Sequence, residues 1–168
     1  MSRTARKKNN GLTTAARLAA VQALYQVELG AAGPEDALAT VIARGATLDE
    51  TGLAAEADPE IASIIVRGVT EGATQERLDE MIEGALAEDW SLARLEILMR
   101  AILRAGAFEL LDRPDVPAKV VINEYVDVAN AFFDRGEPGM VNAVLDKLAH
   151  GLRDAEFAAA EAASAGRG

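Results

Sequence analysis

Cysteine is absent from the 168 residues. That excludes disulfides and thiolate metal sites, and makes a reducing compartment natural for the chain. Histidine occurs once, at His150, so a zinc site would need carboxylates around a single imidazole, an uncommon ligand set. The plainer reading of His150 is a cation at a helix C-terminus, where it suits the dipole. No apolar run reaches the roughly eighteen residues that a membrane span needs. No hydrophobic region follows the charged N-terminus, as it would in a secretory signal. The expectation is a soluble, cytoplasmic protein without membrane contact. Catalytic signatures are missing too. There is no glycine loop ending in Lys and Ser/Thr, and no Gly-x-Ser-x-Gly elbow. Glu109, Glu124 and Asp127 are the best candidates for a catalytic carboxylate pair, but nothing arranges a reaction around them. The chain is therefore read as a non-enzyme, with no cofactor, metal or small-molecule substrate.

What is present is alanine, 35 residues of it, against only 4% aromatics and five prolines. Every strong hydrophobic period is near 3.6, so the fold class is all-α. The length suits one well-buried domain. Residues 116–150 are the clearest stretch: Val121, Tyr125, Val128 and Phe132 line one helical face, and Val141, Val144, Leu145 and Leu148 line another. Between them Gly136 can take positive φ and Pro138 can start the second helix. Asn123, Glu124 and Asn142 interrupt these faces, although asparagine is unfavourable inside helices; something other than propensity selects them.

Taken in order, Thr13 or Thr14 can cap a first helix whose face is Leu18, Val21, Tyr25 and Leu29. Its periodicity reads Tyr25 as a core residue. Pro34 opens a second helix, and residues 45–57 form an acidic surface connection. Asp58-Pro59 is a cap and first residue for a third helix, and residues 74–87 form a fourth. Residues 92–111 form a fifth and most apolar helix, which must lie near the centre. The Ala/Glu-rich end, residues 153–168, reads as a disordered tail.

Charge is divided unevenly. Residues 1–17 carry +5, from Arg3, Arg6, Lys7, Lys8 and Arg17 without an acid, and the remainder carries −15. Over a screening length of about 8 Å the two regions act separately, so residues 1–12, as a flexible basic arm, can meet a polyanion although the whole chain is acidic.

Four blocks, AAVQALYQ (19–26), AILRAGAFEL (101–110), DVPAKVVINE (115–124) and VNAVLDKLA (141–149), resemble in order and spacing the NusB family of bacterial transcription antitermination factors. The resemblance covers about residues 14–150. It implies an all-helical bundle of about seven helices in two packed halves, here about 13–72 and 73–152. It also implies binding of boxA, a single-stranded element in ribosomal RNA transcripts, together with NusE, a small-subunit ribosomal protein, in the antitermination complex of RNA polymerase.

Carried over by position, the resemblance assigns RNA binding to Arg17, Gln22, Tyr25 and Met140, with Arg3, Arg6, Lys7 and Lys8 as the basic arm. NusE binding falls to Glu109, Glu124 and Asn142. For Asn123, Glu124 and Asn142 a competing role is to join helices through buried hydrogen bonds. Two departures stand out. The arginines that family members often carry directly before the first helix are displaced several residues upstream, and Met140 stands where an aromatic is common. Rival readings are a helical protein-binding adaptor without RNA, and the NusB-like domain of RNA cytosine methyltransferases.

Overall fold

The computed structural model describes residues 3–47, 54–55 and 57–167, and of residues 3–12, 46–47 and 54–55 the backbone alone. Eight α-helices occur among the described residues: α1 (Arg3–Glu28), α2 (Pro34–Arg44), α3 (Pro59–Thr70), α4 (Thr74–Ala85), α5 (Ile97–Asp112), α6 (Ala118–Phe132), α7 (Glu137–Leu152) and α8 (Asp154–Ala165). The all-α bundle is as expected, with one helix more.

Two helices form the axis of the molecule. In α5 every residue from Ala101 to Leu110 is buried, and in α1 so is nearly every residue from Ala15 to Leu24. A helix that is apolar all round can only be stable inside. α1 packs on α2 and α3 on one side and on α5 and α6 on the other, while α5 also receives α3, α4 and α7. The α6–α7 pair lies against α5 through Val121, Tyr125, Val128, Val141, Val144 and Leu145.

Helix ends follow local chemistry. Asp58 accepts hydrogen bonds from the amides of Glu60 and Ile61, with Pro59 at the first helical position. Gly30 and Gly72 break the chain after α1 and α3 at φ 74° and 55°, a region that favours glycine. Gly136 does not use that freedom; its φ is −82°, because it leads straight into α7.

Four expectations are revised. The backbone is helical from Arg3, ahead of the start expected at Thr13 or Thr14. No proline lies in this stretch, and Asn9, Asn10 and Gly11 weaken a helix without stopping it, so α1 runs on past its packed part. The fifth helix is split: Leu92–Arg94 is a 3₁₀ turn and α5 begins only at Ile97. Side chains satisfy the break, since Glu83 accepts from the Leu92 amide at 2.7 Å and Arg100 donates to the Leu95 carbonyl at 2.6 Å. In the acidic connection Ala46–Thr47 and Ala54–Ala55 pair as a short antiparallel ladder. The tail expected to be disordered is helical as α8.

Arg153 explains that last difference. Its guanidinium is buried and donates to the carbonyls of Glu109, Leu110, Arg113 and Val116 at 2.8–3.1 Å. These include C-terminal carbonyls of α5 that lack helical partners. Glu156, one turn on, accepts from Arg153 at 3.0 Å and from the Ala118 amide at 2.8 Å. One arginine and one glutamate thus close the end of α5 and the start of α6, and hold α8 in place.

Candidate functional site

A groove of about 770 Å³ opens beside the second half of α1, between α2, the start of α5 and the end of α6. Gln22, Tyr25 and Gln26 line it from α1, with Arg44, Leu98 and Phe132 opposite. Tyr25 and Phe132 are 37% and 40% exposed. Both fall on faces that spacing alone assigns to the core. α1 outruns its partners at its C-terminal end, where Leu29 is 51% exposed, and Phe132 is the last residue of α6. Two aromatic rings flanked by carboxamides and a guanidinium can stack on an unpaired base and hydrogen-bond its edge. Gln22, Tyr25 and Met140 all keep some exposure, as a surface role requires. Phe132, Gln26 and Arg44 had no sequence signal of their own, since only the meeting of three helix ends brings them to this groove.

Arg17 is different. It is 2% exposed, and its Nε and Nη2 donate to the two carboxylate oxygens of Glu109 at 2.8 and 2.9 Å. The Tyr125 hydroxyl donates to the same carboxylate at 2.5 Å. Glu109 is fully buried. Arg17 and Glu109 are thus buried where the resemblance implies surface contacts with RNA and a protein partner. The reason is mutual neutralisation, because a bidentate arginine–carboxylate pair is among the few charged arrangements a core tolerates. Burial works against the Arg17 charge, but the hydrogen bonds to Glu109 and the nearby carboxylates hold its pKa above the ordinary value. Burial, then the Glu109 charge, pushes the Tyr125 phenol well up, so it stays a donor.

Glu124 sits at the edge of this cluster. One of its oxygens accepts from Thr14 at 3.3 Å. The other, buried and without a hydrogen bond, lies 3.8 Å from Arg17 Nη1. Asn123 and Asn142 are exposed, which removes the competing role in buried hydrogen bonds for both. The side chains of Arg3, Arg6, Lys7 and Lys8 lie outside the described residues; their backbone belongs to α1. His150 stacks on Phe157 at 4.0 Å between ring centres. Among the described residues no group of three His, Asp or Glu could hold a metal ion, and no helix is long and apolar enough to cross a membrane.

The model of the NusB family matches residues 14–150. A transcription antitermination protein NusB of Rhizobium rhizogenes is 51% identical over 142 residues, which is 83% of this chain and 86% of that protein. One of Rhodopseudomonas palustris is 48% identical over 148 residues, 85% of this chain and 84% of that protein. A crystal form of T. maritima NusB superposes with a TM-score of 0.69 at 31% identity, covering 86% of this chain and 95% of that one.

Proposed function

Since the chain belongs to the NusB family, we propose that it is a transcription antitermination factor that binds boxA RNA together with NusE and promotes read-through by RNA polymerase. The observation that carries this reading is the exposure of Tyr25 and Phe132 on one open groove. Soluble helical proteins seldom leave two large rings uncovered side by side, and single-stranded RNA is recognised mainly by stacking of splayed bases. Gln22 and Gln26 offer amides to base edges, and Arg44 a cation to phosphate. Met140 serves as a softer apolar contact. The basic residues Arg3, Arg6, Lys7 and Lys8 hold the RNA backbone. Lys8 and Gln22 are fourteen positions apart on one helix, or about 21 Å, so one RNA segment can engage both ends of α1.

NusE supplies further contacts, for which Asn142 and the exposed edge of Glu124 are the available polar groups. The protein holds RNA and partner together and performs no chemistry of its own.

The test is a titration of labelled boxA RNA, followed by anisotropy with and without NusE, at two salt concentrations. We expect salt-sensitive binding that NusE tightens and that a scrambled RNA lacks. Binding of NusE without any binding of RNA would leave a protein-only adaptor as the better account.

A further inference from the structure

The ion-pair cluster inside the bundle joins three helices at one point. Arg17 comes from α1, Glu109 from α5, and Tyr125 with Glu124 from α6. Below it, towards Leu24, α1 is held by apolar packing on α2, α3 and α5. Above it the buried Ala15 and Ala16, and Thr14, which donates to Glu124, still tie α1 to the bundle, and the basic positions 3–8 lie less than four turns away along the same continuous helix. Apolar packing is non-directional and tolerates small rotations, whereas a bidentate guanidinium–carboxylate pair fixes both distance and plane. The Tyr125 hydroxyl holds the carboxylate in turn, so the plane of Glu109 is set from α6 as well as from α5.

We infer that Arg17, Glu109 and Tyr125 are positioning residues, a buried lock that sets the direction in which the basic end of α1 leaves the core. Arg17 then acts on a bound polyanion through the aim of Arg3, Arg6, Lys7 and Lys8, not through a contact of its own. The consequence for RNA rests on the function proposed above; the consequence for helix geometry does not.

Two measurements test this separately. Because the chain has no cysteine, the changes Asn10→Cys and Asn130→Cys place two spin labels, on α1 and α6, without background. The expected result is one narrow distance distribution, which Tyr125→Phe and Glu109→Gln each broaden or shift while circular dichroism shows the fold retained. An unchanged distribution would overturn the lock. In the RNA titration, Tyr125→Phe alters no charge and lies wholly inside, yet is expected to weaken binding about tenfold, the cost of about two phosphate contacts, with a flatter salt dependence. If only Arg17→Gln weakens RNA binding, by a single contact, Arg17 touches phosphate and the inference fails. Shifted distances with RNA binding unchanged would also defeat the positioning role. If the unaltered protein binds no boxA RNA while the distances still respond, the lock stands and the proposed function falls.

Discussion

Glu109 is fully buried against Arg17 and Tyr125, and its stability depends on partners that cannot be replaced one at a time. Glu109→Met strands the Arg17 guanidinium in the core and is expected to cost about 3–5 kcal/mol in urea unfolding. Adding Arg17→Met should recover part of that loss, because two well-packed apolar groups leave no orphan charge. A double mutant no more stable than the single one would show that the pair is not the unit. The groove residues behave oppositely. Tyr25→Ala should leave stability nearly unchanged while weakening RNA binding by about 1–3 kcal/mol, the worth of one stacked base, as read by anisotropy. The sequence disguised both sites in the same way. A charged residue flanking an apolar stripe, as Arg17 does, looks like surface, and an aromatic on the stripe, as Tyr25 is, looks like core. Only the partners across the bundle reverse these readings.

Among the elements, α3 and α5 meet most closely at Gly68. A Cβ there would fall 2.1 Å from the Phe108 ring, and Phe108 is itself buried. Gly68→Ala is therefore expected to cost about 1–3 kcal/mol through overpacking, measurable as a lowered urea midpoint. Just beyond the C-terminal end of α5, the Ala118 amide, helped by Arg153, lowers the pKa of Glu156. A lowered carboxylate pKa stabilises the fold above the ordinary range of about 4, and the contribution is lost as pH falls from there through the folded value. The exchange protection of α8 amides, relative to their intrinsic rates at each pH, should accordingly fall in mild acid, and Glu156→Gln should flatten that dependence. An equal acid response in both proteins would detach Glu156 from the hold on α8. Most helix boundaries were legible, since caps such as Asp58-Pro59 and stops such as Gly30 are local. The break before Ile97 and the existence of α8 were not, because side chains of neighbouring turns, Glu83 and Arg100, satisfy the backbone at the break, and Arg153 reaches the end of α5 from 43 positions away. An alanine–glutamate segment has no apolar stripe to announce that it docks.

For the whole molecule, the separation of charge is the feature to exploit. The body is strongly acidic and the basic positions cluster at one end of α1, so under the proposed function RNA attraction depends on spanning from the groove to that end. A boxA fragment too short to cover about 21 Å should bind more weakly than a full-length one and respond less to salt, since it forfeits the phosphate contacts. Identical salt slopes for the two RNAs in anisotropy would place the phosphate contacts at the groove.

The clamp made by Arg153 also bears on how the protein is made. The carbonyls it satisfies at Glu109, Leu110 and Arg113 precede it by 44, 43 and 40 positions. During translation α5 is therefore completed before the side chain that clamps its C-terminal end exists. At about 5–20 residues per second the donor arrives roughly 2–8 s later, after α6 and α7 have both been synthesised. A ribosome pausing in that interval would leave the end of α5 without this clamp.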